Sequence, residues 1–381
     1  MIYRKLGKTG LEVSEIGFGG EWLEQHDEDE SVELMRYAST KGINIIDCWM
    51  PDPKSRDIIG KGMKGCRDKW IVQGHIGSTW QNGQYKRSRE LDEIAPAFDD
   101  ILKRMDTDYI DLGMIHYVDA EDDWNNCLNS EYIKYVHRLH DQGVIRHIGI
   151  STHNPRIAKK AVETGFVEMI LFSINPAFDM RPATEDLDSM FTGYDESALS
   201  GIDPERAQLY QLCDQSNVGI TVMKGYCGGR LLKAESSPFK VAFTPKQCIH
   251  YVLTRPGVSS ILVGFDTKQQ VDEAVSYETA TEEEKDYASI IANAPLHSYS
   301  GQCTYCGHCK PCPVNIDIAM VNKFYDLATQ QKTVPESVRE HYRNLGVTAS
   351  SCICCHGCES RCPFGVKIAD RMAKATELFG I

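Results

Sequence analysis

The sequence predicts an α/β protein, a (β/α)8 barrel followed by a small, mainly helical domain dense in cysteine. Between residues 11 and 275, short apolar runs alternate with longer amphipathic stretches, the pattern of βα units feeding a parallel sheet. The apolar runs number eight, which suits a closed barrel with its site at the strand C-terminal ends. Of 15 cysteines, nine crowd between Cys303 and Cys362, past the last of those runs.

The expected strands are Val13–Phe18, Ile43–Asp47, Trp70–His75, Ile110–His116, Ile145–Ile150, Met169–Phe172, Gly219–Met223 and Ser259–Val263. Helical periodicity fills the gaps over Ser31–Lys41, Leu91–Arg104, Glu131–Asp141 and Arg156–Glu163, with Gly42, Gly143 and Gly165 at expected C-terminal caps. A doubly wound sheet is the competing topology. It would show a glycine-rich phosphate turn after the first strand, and Gly17-Phe18-Gly19-Gly20-Glu21 is not one. The sixth strand leads into a long excursion from Asn175 to about Gly201, placed to cover the site or to lie solvated beside it. The barrel is expected to span residues 1–280, and Thr281–Ala294 reads as a helix into a second domain, 281–381. No internal repeat beyond the βα unit is visible.

With 381 residues, 42% of them hydrophobic, the chain can bury a sizeable core. Its 41 Lys+Arg against 54 Asp+Glu give a net charge of −13, which disfavours nucleic acid and anionic membrane surfaces as partners. No apolar run approaches the length of a spanning helix, and Met1–Gly7 lacks the apolar core of a signal peptide. A cytoplasmic protein is expected, with oligomeric state left open.

In such a setting the dense cysteines read as metal ligands rather than disulfides. They form Cys303-x2-Cys306-x2-Cys309-x2-Cys312-Pro313 and Cys352-x2-Cys355-x2-Cys358-x3-Cys362-Pro363. Three thiolates at steps of three can wrap one corner of an iron–sulfur cubane. The fourth, followed by proline, reaches the other cluster. One [4Fe–4S] cluster is therefore assigned to Cys303, Cys306, Cys309 and Cys362, the other to Cys352, Cys355, Cys358 and Cys312, with Cys354 a bystander. A pair of zinc sites is the alternative, but zinc sites usually offer two CxxC halves separated by a loop. The spacing resembles that of bacterial two-cluster ferredoxins, which implies a ferredoxin-like iron–sulfur domain, and Ile318–Gln330 reads as an inserted helix.

Residues 1–280 resemble the aldo/keto reductases. The likeness rests on Tyr3–Ser14 (YRKLGKTGLEVS), Gly42–Asp47 (GINIID), Asp108–Leu112 with Ile115-His116, and Gly149-Ile150-Ser151. With its tail, the chain resembles the subgroup carrying a C-terminal ferredoxin domain. The resemblance implies a TIM barrel and a reaction in which NADPH reduces a carbonyl while a Tyr, tuned by a Lys–Asp pair, donates the proton. Asp47 and His116 keep the family's Asp and His, but the Tyr position holds Asp52 and the Lys position His75. The nicotinamide positions change as well. The Ser-Asn pair is Ser151-Thr152, the strand-six Gln is Leu171, and the phosphate loop runs from Gly264 through Asp266, Thr267 and Lys268 to Gln270. A carboxylate at Asp266 repels a 2′-phosphate.

The polar residues expected at the strand ends include Glu21, Asp47, Trp49, Asp52, His75, His116, Tyr117, His153, Asn154, Asn175 and Lys224. Asp47, Asp52, His75 and His116 form the expected catalytic set, with Ser151, Lys224, Gly264, Thr267 and Lys268 around the cofactor. A nonhaem metal on the two histidines and an aspartate would suit the ligand types but lacks supporting spacing. The leading expectation is an iron–sulfur oxidoreductase whose clusters pass electrons to or from a small-molecule substrate or a flavin at the barrel mouth, served by a ferredoxin or flavin donor. The alternatives are an NAD(P)H-dependent carbonyl reductase with an altered tetrad, and a non-catalytic electron carrier or redox sensor. His75 is the favoured proton donor, with activity falling as pH rises through the histidine range.

Overall fold

Strand-forming runs and amphipathic helices alternate along the chain as the periodicity requires, and the strands close on one another. The structure, a computed structural model, describes residues 1–21, 23–191, 201–293, 301–329, 334 and 336–381. The barrel strands are β1 (Ile16–Gly19), β2 (Ile45–Cys48), β3 (Ile71–Ile76), β4 (Ile110–Ile115), β5 (Ile145–Thr152), β6 (Met169–Ser173), β7 (Gly219–Met223) and β8 (Val258–Gly264). All are parallel, in sequence order, with β8 pairing back to β1. The doubly wound alternative is thereby excluded.

Alternation along each strand sets what faces the barrel axis. Ile45, Leu112, Met114, Met169, Leu171 and Leu262 form a separate apolar cluster, joined from below by Leu6 and Val13 of an N-terminal hairpin. Asp47 and His75 stand toward the C-terminal ends of β2 and β3 and His116 directly after β4, so the interior passes from hydrocarbon to polar side chains at the mouth. β1 must come close: a Cβ at Gly17 would lie 2.6 Å from Leu262 and 2.7 Å from Ile45.

Several expectations need correction. The run Val13–Phe18 is two strands, Glu12–Ser14 in the hairpin and Ile16–Gly19 in the barrel. They are split at Glu15, whose carboxylate pairs with Arg4 and whose N–H bonds the carbonyl of Ile2. The helix expected from Thr281 begins only at Ala288. The excursion after β6 contains a helical turn at Pro176–Asp179 and a 3-10 turn at Leu187–Phe191; residues 192–200 lie outside the described residues. A second hairpin, Ser78–Gln81 with Gln84–Arg87, follows β3 and was not expected.

Among the described residues the tail contains helices and loops but no strand, so the sheet of a ferredoxin-like fold is not seen there. It is nevertheless an internal repeat, contrary to the sequence reading. Tyr305 and Cys354, each two residues after the first cysteine of its loop, have φ of 60° and 54°. Gly307 and His356 follow at 85° and 56°. Asn315 and Gly365, three residues after Cys312 and Cys362, have φ of 59° and 62°. Each half then ends in a 12-residue helix, Ile318–Thr329 or Ile368–Phe379. The tail docks on the barrel flank, where Arg255 and the Tyr287 hydroxyl both donate to the carbonyl of Thr304 at 2.6 Å.

Candidate active site

The barrel mouth opens into a cavity of about 600 Å³ that reaches from Asp47, His75 and His116 to Gly264, Asp266 and Gln270 after β8. β2 and β3 set its deep end. Asp47 pairs in register with Gln73, and His75 lies two residues further along the same face of β3. Asp47 Oδ1 accepts from Gln73 Nε2 and meets His75 Nε2, both at 2.9 Å, while Gln73 Oε1 accepts from Thr221 at 2.8 Å. His75 Nδ1 meets His116 Nδ1 at 2.8 Å. His116 Nε2 in turn meets the Tyr85 hydroxyl at 2.9 Å.

Tyr85 is the residue that sequence reasoning missed. It sits on the hairpin after β3, opposite Trp80, beyond a tight turn at Asn82 (φ 51°) and Gly83 (φ 76°). Two successive left-handed residues are what an Asn-Gly hairpin turn requires, so the Asn82-Gly83 pair was the available signal. Trp49 packs edge-on against Tyr85 with centroids 5.5 Å apart and lies nearly parallel to His116. Burial pushes the Tyr85 phenol up to about 12. Burial, then the adjoining His75 ring, holds His116 well below the ordinary histidine value.

The other expected residues separate into those that line the cavity and those that do not. Asp52 does not line it. Its carboxylate caps the helix Pro53–Met63, accepting from the N–H of Lys54 at 2.8 Å, so the position aligned with the family's phenol is occupied by a helix cap. His75 lines the cavity, but both its ring nitrogens are engaged, by Asp47 and His116, which leaves none to meet a substrate directly. Ser151 lines the cavity and accepts from the N–H of Tyr117 at 2.8 Å. Tyr117 reaches the cavity because its φ of 46° turns the chain at the end of β4. Lys224, also left-handed, lines the wall opposite, and its carbonyl accepts from Asn175 at 2.9 Å.

Glu21 and His153 complete the rim. Burial raises the Glu21 carboxyl, with Lys224 offsetting part of the effect. His153 Nδ1 lies 2.9 Å from Asp119. Burial alone would raise Asp119; the His153 ring, the His153 N–H and the Thr152 hydroxyl outweigh it and hold Asp119 below its ordinary value.

The loop after β8 departs from the phosphate-binding expectation. Thr267 caps the helix Lys268–Val275 and accepts from the N–H of Gln270, while Gln270 Oε1 accepts from the N–H groups of Asp266 and Thr267. Two of the N–H donors that would greet a phosphate, those of Asp266 and Thr267, are thus held by Gln270. Lys268 turns away from the cavity to Glu33, at 2.9 Å, and over the Tyr37 ring. Asp266 faces the cavity and pairs with His26 at 3.0 Å. Gly264 lines the same wall.

Among the described residues no three His, Cys, Asp or Glu side chains are grouped to hold a metal ion. The nonhaem metal considered at Asp47, His75 and His116 is therefore unsupported, since the two imidazoles hydrogen-bond to each other. In the tail, Cys312 of the first loop lines one small cavity together with Cys352, Cys355 and Cys358 of the second, walled by Ile316, Ile318 and Met372. The N–H of Cys354 points at Cys352 Sγ, 3.4 Å away. Arg361, beside Cys362, donates to the carbonyl of Cys309 at 2.8 Å.

A closed parallel barrel with acid–base side chains at its C-terminal mouth defines the TIM-barrel fold class. Residues 15–187 match the Aldo/keto reductase family. Aldo-keto reductase YhdN of Bacillus subtilis (strain 168) is 34% identical over 160 residues, 40% of this chain and 47% of that protein, so the match spans about half of that relative's length. Uncharacterized oxidoreductase YqkF of the same organism is 26% identical over 300 residues, covering 74% of this chain and 94% of that protein. The solved aldo-keto reductase AKR11C1 from Bacillus halodurans, in its holo form, superposes with a TM-score of 0.60 at 23% identity, covering 78% of this chain and 98% of that one. The barrel is thus similar to the aldo/keto reductases, in sequence over residues 15–187 and in fold over most of the solved relative. Among the described residues no helix is long and apolar enough to cross a membrane.

Proposed function

We propose that the barrel interconverts a small carbonyl compound and its alcohol with a nicotinamide dinucleotide, NADH in preference to NADPH. The observation that carries this reading is the continuity of one cavity from the Asp47–His75–His116–Tyr85 cluster to Asp266 and Gln270 after β8. That is room for an elongated ligand with its reactive end at the acid–base groups. When bound, the nicotinamide supplies or accepts a hydride. The chain's residues do the rest: Tyr85 and His116 hold the proton, Trp49 and Tyr117 wall the substrate from water, and Ser151 and Lys224 flank the cofactor. Asp266 favours a ribose 2′-hydroxyl and repels a 2′-phosphate, and Gln270 occupies the helix N-terminus that would otherwise hold that phosphate. Calorimetry should give NADH binding in the micromolar range and NADPH binding several-fold weaker. Absence of binding by either at millimolar concentration would reject the reading.

A second redox unit is supported by the tail, taken as a domain over 281–381. The sulfurs of a [4Fe–4S] cluster stand around a body, one thiolate per iron, rather than converging on a point. The cavity shared by Cys312, Cys352, Cys355 and Cys358 supports the crossed ligand set, and Cys303, Cys306, Cys309 and Cys362 make up the other. An N–H aimed at Cys352 Sγ suits thiolate ligation. Such clusters exchange single electrons when bound. Cys312→Ser should then cost the cluster of the second loop, read by EPR of the reduced protein; retention of both signals would reject the crossing.

A further inference from the structure

We propose that Tyr85, carried by the hairpin after β3, is the substrate-facing proton-transfer residue of the barrel mouth, and that it works through a relay Tyr85–His116–His75–Asp47. The inference rests on the carbonyl–alcohol reading above and deepens it. The phenol that the family places at position 52 is absent, and Asp52 is spent on a helix cap. A phenol returns to the same cavity from a different element.

Hydrogen-bond bookkeeping singles out Tyr85. Each imidazole has two ring nitrogens, and in His75 and His116 all of them are engaged within the chain. A phenol oxygen that donates its one proton keeps lone pairs for a ligand. Tyr85 therefore closes the chain on one side and presents an acceptor to the cavity on the other. With one proton on each ring, the directions are fixed. His75 Nε2–H donates to Asp47, His116 Nδ1–H donates to His75 Nδ1, and Tyr85 O–H donates to His116 Nε2.

That arrangement is set for alcohol oxidation. The substrate O–H proton passes to the Tyr85 oxygen while the Tyr85 proton moves to His116 Nε2. The His116 Nδ1 proton moves to His75 Nδ1, and the His75 Nε2 proton moves to Asp47. The substrate C–H bond breaks with its electron pair leaving as hydride to a nicotinamide-class acceptor, and the carbonyl forms. Tyr85 and both rings end neutral, the rings in exchanged tautomers, and Asp47 ends protonated. Carbonyl reduction is the same sequence reversed. Gln73 holds Asp47 in line from the barrel axis, and Trp49 packs on both Tyr85 and His116. The hairpin is fastened by Lys86 to Glu93 and by the N–H of Ser88 to the carbonyl of Gly77.

The test uses the full chain labelled with 15N-histidine, together with steady-state oxidation of a panel of small secondary alcohols with NAD+. NMR should show His116 protonated on Nδ1 and His75 on Nε2 at neutral pH. In Tyr85→Phe the His116 Nε2 resonance should move while both tautomers persist. In the same variant kcat should fall about 10²–10⁴-fold with KM little changed, the span expected for losing a general acid–base group. A charged His75, a His116 protonated on Nε2, or full kcat in Tyr85→Phe would each overturn the relay. Failure of the wild-type protein to turn over any of these alcohols, with no nicotinamide binding, would reject the carbonyl–alcohol reading instead; the two tautomers decide the relay geometry independently of turnover.

Discussion

At the barrel mouth, two positions that align with the family's tetrad have changed, to Asp52 and His75. In the tail both cysteine spacings are complete, and the loops share left-handed backbone at matching steps. The difference follows from what each chemistry demands. A proton can be passed along any line of donors and acceptors of suitable strength, so a phenol can move to another element if a chain of hydrogen bonds reconnects it. An iron–sulfur cubane needs a thiolate at each iron, and the backbone must turn at fixed intervals to deliver it. A proton relay can therefore be rebuilt from other elements, whereas the clusters proposed for the tail would admit little change in their ligands.

The comparison predicts that damage stays within its own region, and the largest effect belongs to the mouth. Asp47→Asn removes the relay's terminal acceptor and should lower kcat about 10²–10⁴-fold in steady-state assays. Iron content should be unaffected. Iron loss in that variant would mean that the two regions are not independent.

Next in size is the tail. Cys355→Ser should reduce iron from about eight to about four per chain, measured on anaerobically purified protein. NADH affinity, measured by calorimetry, should stay as in the parent. At the far end of the cavity, Asp266→Arg exchanges repulsion for attraction at the 2′-phosphate and should raise NADPH affinity by about tenfold or more. An unchanged preference would place the dinucleotide elsewhere.

Smaller effects probe the hairpin and the buried imidazole. Gly83→Val forces a β-branched residue to φ 76° and should destabilise the protein by about 1–2 kcal/mol in urea unfolding. A larger fractional loss of kcat than of stability would show that the turn positions Tyr85. His116 is held below its ordinary value chiefly by burial. The unfolded chain takes up this proton first as pH falls below about 6.5. The stability that neutral His116 contributes is thus complete above that pH and is lost as pH drops toward the folded value. The urea midpoint should decline between pH 7 and 5, and less steeply in His116→Gln.

Much of this was legible in the sequence. Eight apolar runs gave the barrel, and the resemblance to the aldo/keto reductases pointed to Asp47 and His116. The cysteine spacing assigned Cys312 to the second loop's cluster, and Cys312 lines one cavity with Cys352, Cys355 and Cys358. Tyr85 was not legible from strand counting, because its hairpin interrupts the βα rhythm between β3 and the helix Leu91–Met105. Its Asn82-Gly83 turn is a local signal that a barrel-scale reading passes over. Asp52 misled because alignment conveys position and not the role of a helix cap. His75 was rightly placed beside Asp47, but a one-dimensional reading could not show that both its nitrogens were already taken. The tail's repeat was hidden because its halves agree in backbone conformation more than in residue type: Tyr305 answers Cys354, and Gly307 answers His356.

The contrast between a mouth that departs from the family's tetrad and a tail proposed to hold two clusters is tested most directly by counting metal and sulfide in the anaerobically purified protein. The account predicts about eight iron atoms and about eight acid-labile sulfides per chain. Two zinc ions per chain without labile sulfide, about the content of two structural zinc sites, would contradict it.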